Sequence, residues 1–146
     1  MKANELMIGD WVRVNRDGLC IKKDTIVQVR GIDGDDKIEE KGLFGAAHCR
    51  PLDEDQFDGG IWLDYLDPIP LTPEILKKNG FSFPMLESWW RVVDCNPTIY
   101  LAEHNESWWL YQDDYLDSRQ YFAKIKYVHE LQHALRLCGI EKEIVL

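Results

Sequence analysis

His129-Glu130-Leu131-Gln132-His133 is the segment whose residue types and spacing bear most directly on chemistry. On a helix, histidines four residues apart reach a single zinc ion, and the glutamate between them serves as base toward a metal-bound water. A zinc-dependent hydrolase using His129, Glu130 and His133 is therefore the enzymatic reading. Such a site needs a third protein ligand and one open coordination position. The longer metzincin form would put Gly at position 136 and His at 139, where this chain has Arg136 and Gly139. Thirteen residues follow His133, and their two acids, Glu141 and Glu143, come directly past the end of the helix. His48 or His104 would make an unusual third ligand.

Helical geometry also argues against the metal. At about 100° per residue, Tyr127, Val128, Leu131, Ala134, Leu135 and Cys138 fall in one apolar stripe. His129 and His133 lie on the other side beside Arg136, and Lys126 and Glu130 form an i, i+4 pair along it. The expectation is a helix with its aliphatic stripe buried and its imidazoles in water. No cofactor follows from that arrangement.

Other constellations carry less. Cys20, Cys49, Cys95 and Cys138 are 29, 46 and 43 residues apart, with no C-x-x-C pair to suggest a zinc knuckle or a thioredoxin-type site. In the reducing compartment expected below, all four remain free thiols. Asp53-Glu54-Asp55-Gln56-Phe57-Asp58-Gly59 resembles a calcium loop, but Phe57 stands where an oxygen ligand belongs and Asp58 where the glycine belongs. It reads as a solvated acidic loop. Phosphate-binding glycine motifs and the G-x-S-x-G elbow are missing from the sequence.

The tryptophans matter more. Trp89-Trp90 and Trp108-Trp109 are adjacent pairs within strand-like runs. Successive strand residues face opposite ways, so neither pair can put both indoles into one core. One member of each is left for the other sheet face, where Tyr100 or Tyr111 can join it. That face is either covered by the first half of the chain or a second copy, or forms an aromatic surface for a protein partner. The sequence does not say which member of each pair turns outward.

These residues must be positioned by an α+β architecture. In the first seventy residues, Trp11-Val12-Arg13-Val14 and Thr25 to Arg30 read as strands, the second ending at Gly31 before the turn-rich Asp33-Gly34-Asp35-Asp36. A return strand through Ile38 and another near Leu43-Phe44 would complete an SH3-like small β-barrel over residues 1–70. Residues 51–76 carry seven acids and no Lys or Arg. Thr72, Pro73 and Glu74 are N-cap, first-turn and dipole-favoured residues of a short linking helix, and Asn79-Gly80 ends it with Phe81 closing over the cap.

Residues 71–146 then continue as an antiparallel β-meander packed with a C-terminal helix. Its strands are Trp89 to Val93, Thr98 to Ala102 and Trp108 to Tyr111, with His104 to Ser107 as a hairpin loop. The helix runs from about Lys126 to Cys138, with Gly139 as its cap and Ile140 as the apolar contact beyond. Tyr121 to Ile125 suits a strand or an extension of that helix. The two halves are expected to share one compact unit.

Composition narrows the functional classes. The chain has 146 residues, 45% apolar and 29% charged, as an ordinary globular domain does. A net charge of −9 argues against general nucleic-acid binding, leaving only a local basic patch at Arg13, Arg16, Lys22, Lys23 and Arg30. No apolar run approaches the about 18–20 residues that span a bilayer. Met1 to Leu6 lacks a long apolar segment, so a cytoplasmic protein without a secretory signal is expected.

Three segments resemble a known family. Leu6-Met7-Ile8-Gly9-Asp10-Trp11-Val12, Pro68-Ile69-Pro70-Leu71-Thr72-Pro73-Glu74-Ile75-Leu76 and Ile125-Lys126-Tyr127-Val128-His129-Glu130-Leu131-Gln132 are similar to small uncharacterised proteins of gut Bacteroides species, their phages and mobile elements. The resemblance spans nearly the whole chain and implies no activity. The family's last segment runs Val-His-Gln-Leu-Gln-Asn-Leu, so this chain departs at Glu130 and His133, the positions that create the zinc-like spacing. The resemblance thus implies that the match is a local accident on a structural helix. Together these readings predict a non-catalytic protein-interaction module, related to phages or mobile elements, with Trp89, Trp90, Trp108 and Trp109 as candidate contacts and a zinc hydrolase as the alternative.

Overall fold

The computed structural model describes residues 1–18, 20–33, 45–52, 59–83, 89–92, 98–113 and 119–146. The expected turn at 34–36, the strands at Ile38 and Leu43-Phe44, the acidic run 53–58, the turn at 94–97 and Cys95 lie outside them. The chain divides into two compact units, Met1–Ile69 and Pro70–Leu146, and among the described residues each holds a five-stranded antiparallel sheet. Among the described residues two α-helices are present, both in the second unit, and the architecture is α+β. Among the described residues, no helix is long and apolar enough to cross a membrane.

In the first unit β1 (Trp11–Val14), β2 (Ile26–Asp33), β3 (Ala46–Pro51), β4 (Gly59–Trp62) and β5 (Leu66–Pro68) are ordered β4-β3-β2-β1-β5. Strand alternation sends Val12, Val14, Val27, Val29, Ala47 and Cys49 to one face, where Ile61, Leu63 and Leu66 complete a core. The second strand does not stop at Gly31. The β2–β3 register shifts between Val29 and Gly31, a bulge that re-phases the strand and carries it on to Asp33. Among the described residues the sheet is open rather than closed into a barrel: β4 pairs only with β3, and β5 only with β1. A three-residue 3-10 turn, Leu63–Tyr65, joins these two edge strands.

In the second unit α1 (Pro73–Lys78) begins where its caps require. Thr72 Oγ1 accepts a hydrogen bond from the Ile75 amide at 3.4 Å, Pro73 holds the first position, and Gly80 ends the helix at φ +74°. The Glu74 carboxyl is held below its ordinary pKa, first by a backbone hydrogen bond within its own residue and then by the Thr72 hydroxyl. Phe81 is buried just past the cap.

The second sheet contains β6 (Phe81–Ser82), β7 (Trp90–Val92), β8 (Ile99–His104), β9 (Ser107–Asp113) and β10 (Arg119–Ile125), in the order β10-β9-β8-β7-β6. Asn105 and Glu106, at φ +46° and +57°, form the two-residue turn between β8 and β9, and His104 pairs with Ser107 across it. Two positive φ values match the right-handed twist of a tight hairpin. Tyr121 to Ile125 is strand, not helix, and pairs with β9 through a bulge between Tyr121 and Ala123.

The last helix, α2 (Val128–Leu137), starts two residues later than its periodicity predicts. Lys126 and Tyr127 are held outside it: the Lys126 carbonyl accepts from the Leu71 amide, and Tyr127 bridges to Pro70. Its end is as expected. The Gly139 amide donates to the Arg136 carbonyl and the Ile140 amide to the Leu135 carbonyl, a Schellman closure with Gly139 at φ +72°.

Candidate functional site

The zinc-like segment sits on α2, but the structure gives its residues other work. Glu130 lies at the third position of the helix, and its Oε2 accepts hydrogen bonds from the backbone amides of Lys126 at 2.6 Å and Tyr127 at 3.1 Å. Those contacts are the carboxylate half of a capping box. They turn Glu130 back toward the helix start.

His129 corrects the helical-wheel expectation. It is buried, only 5% exposed, and its ring stacks on Tyr127 with centroids 5.9 Å apart and planes 9° apart. Gln132 is buried too, while His133 is half-buried with its ring edge-on to His129 at 5.7 Å. The buried arc of the helix is therefore wider than its apolar stripe. Tyr127 is held extended at the helix start, so its ring lies over His129 rather than extending the stripe. Solvent is left to Arg136 and Leu137.

The other two histidines are placed elsewhere. His48, on β3 in the first unit, sits 2.9 Å from Asp33 Oδ2, and His104 packs against Trp109. Among the described residues, no group of three or more His, Cys, Asp or Glu side chains is arranged to hold a metal ion.

The tryptophan pairs divide as strand geometry requires. Trp108 is buried, and its indole Nε1 donates to the Leu71 carbonyl at 3.1 Å. It shares a sheet face with the buried Ile99, Leu101, Leu110 and Ile125. Gln112 belongs to that face by register and receives a contact from Cys138 Sγ at 3.9 Å, which places the end of α2 on the same side. Trp90 pairs with Leu101, is half-buried, and packs against Phe83 at 5.3 Å.

Trp89 and Trp109 belong to the opposite face. There Tyr100, Tyr111 and Tyr121 stand in one cross-strand row, with Ala102, Trp109 and Lys124 in the next. The rings interlock edge to face: His104 to Trp109 at 5.1 Å, Trp109 to Tyr121 at 5.5 Å, Tyr121 to Tyr111 at 5.9 Å and Tyr111 to Trp89 at 4.9 Å. On this face Tyr100 is buried, Tyr121 is 56% exposed, and Trp89, Trp109 and Tyr111 are half-buried. The result is a preorganised aromatic surface, because each ring is fixed by its neighbours before any ligand arrives.

Sequence reasoning named Trp89 and Trp109 without being able to separate them from Trp90 and Trp108. It missed Tyr121 because the strand around it was unassigned. Strict alternation would put Tyr121 on the face of Ala123 and Ile125; the bulge between Tyr121 and Ala123 turns it to the opposite face. No family model matches this chain, and no curated protein or solved structure matches it either.

Proposed function

We propose that this chain is a non-catalytic protein-recognition module, with the aromatic face of the second sheet as its contact surface. The unbroken run of edge-to-face contacts from His104 through Trp109, Tyr121 and Tyr111 to Trp89 supports this reading most strongly. Rigid aromatic side chains give large contact area at low entropic loss, which is why they dominate binding hot spots. On the resemblance seen in the sequence, the partner is a host- or phage-encoded protein met in the cytoplasm. The first unit is read as an open SH3-like sheet.

The test is a displayed library of host and phage protein fragments, selected on the native chain and re-measured on a Trp109→Ala/Tyr121→Ala variant. Far-UV circular dichroism first establishes that the variant is folded. Selected fragments are expected to lose affinity by about tenfold or more, as hot-spot truncation does. Fragments that bind both proteins equally would place recognition elsewhere.

A further inference from the structure

A cleft of about 550 Å³ is lined by residues of the first unit, none of which belongs to the aromatic face. That volume is in the range of small-molecule sites. The aromatic residues Trp62 and Tyr65 line it, with Ile21, Ile61 and the Gly59-Gly60 segment. A Cβ built on Gly60 would meet nothing within 4 Å, so open space adjoins the strand there. Trp62 is 48% exposed, although its neighbour Ile61 is buried.

Asp17 is the sole carboxylate among the described lining residues, and no Lys, Arg or His accompanies it. Its Oδ1 accepts from the Lys23 amide at 2.9 Å, and among the described residues it makes no ion pair. Tyr65 already shows how such rings behave in this unit: the Arg16 guanidinium lies 4.3 Å from its centroid. Aromatic rings attract cations through their negative faces, tryptophan most strongly, and a nearby carboxylate adds Coulomb attraction. Among the described lining residues an anion would find no side chain of opposite charge. A neutral apolar guest would displace water from that carboxylate with nothing in exchange.

We infer that this cleft binds a small organic cation, a quaternary or alkylated ammonium seated against Trp62 and Tyr65 with Asp17 as counter-ion. The ammonium arrives either free or as an alkylated lysine side chain.

Choline and its uncharged isostere 3,3-dimethylbutan-1-ol separate charge from shape. Each is titrated into the native protein by calorimetry, alongside a trimethyllysine peptide and its unmodified counterpart. Choline or the modified peptide is expected to saturate, with its neutral or unmodified control about tenfold weaker. The tighter of the two identifies the source of the ammonium. Asp17→Asn keeps an acceptor for the Lys23 amide while removing the charge, and is expected to weaken cation binding about fivefold or more. Trp62→Ala, at an exposed position, is expected to abolish it. Cys20, an exposed thiol lining the same cleft, gives a second readout, since bound cation slows its alkylation by N-ethylmaleimide. Equal binding of choline and the isostere, an Asp17→Asn protein that binds as before, or no saturable binding by any probe would overturn the inference.

Discussion

The side chain of Asn79 and the peptide group of Val145 bind each other reciprocally: the Val145 amide donates to Asn79 Oδ1, and Asn79 Nδ2 donates to the Val145 carbonyl, both at 2.8 Å. The same Nδ2 also donates to the Ile75 carbonyl at 2.8 Å. One carboxamide thus closes the end of α1 and mimics a strand edge for the chain's last residues. Ile144, the residue before Val145, is fully buried, so the clamp fixes an apolar plug as well as the backbone. The Lys78 ammonium beside it donates to the Leu146 carbonyl.

Removing that carboxamide is expected to loosen the C-terminal segment. Asn79→Ala loses three hydrogen bonds, but the freed tail groups can reach water, so a loss of about 2 kcal/mol is expected. Urea denaturation measures it, and hydrogen exchange at the Val145 amide should quicken well before global unfolding. An amide protected as in the native chain would show that Ile144 alone holds the tail.

Glu130 caps α2, and this makes a claim about chemistry as well as stability. Glu130→Ala is expected to destabilise the protein by about 1 kcal/mol, whereas Glu130→Gln keeps an acceptor and most of that stability. A metal base would behave differently: both substitutions would leave stability unchanged and remove hydrolysis. Denaturation curves for the two variants tell these roles apart.

Neighbouring tryptophans should respond in opposite ways. Trp108→Ala empties a buried site and leaves the Leu71 carbonyl without its indole donor, for a loss of about 3–5 kcal/mol. Trp109→Ala gives up two ring contacts at a half-exposed site, about 1–2 kcal/mol. Similar losses in thermal or chemical unfolding would mean that the two sheet faces are not distinguished as described.

The β8–β9 turn stores relievable strain. Glu106 holds φ +57° without being glycine. Glycine there removes the left-handed penalty but adds freedom to the unfolded chain, and the balance favours Glu106→Gly by about 0.5 kcal/mol. Ser107 Oγ, which donates to the His104 carbonyl at 2.8 Å, keeps the turn closed in both proteins. A variant less stable than the native chain would count against this account.

Acid should act on α1 through Glu74. Its carboxyl is held below the ordinary value of 4.5, so the ionised form favours the folded state. That contribution is complete above the ordinary value and is lost as pH falls through the lowered folded value. The difference in stability between the native chain and Glu74→Gln is therefore expected to shrink as pH falls below the ordinary carboxylate range. A constant difference from neutral to acid pH would show that Glu74 does not contribute in this way.

Residues close in sequence determined much of this protein. Thr72, Pro73 and Gly80 set the limits of α1, Gly139 and Ile140 the end of α2, and alternation the strands at Trp11, Ile26 and Trp108. Each of these signals is an interaction among about six or fewer consecutive residues, so it can be read before the chain is folded. Tertiary structure alone decided which tryptophan of each pair turned inward, that His129 would lie buried beneath Tyr127, and that Asn79 would hold Val145 across 66 residues. Alternation fixes that adjacent side chains diverge, but not which side gains a cover. The zinc-like spacing shows the same division: sequence placed His129, Glu130 and His133 on one helix, and the contacts of Lys126 and Tyr127 made Glu130 a cap.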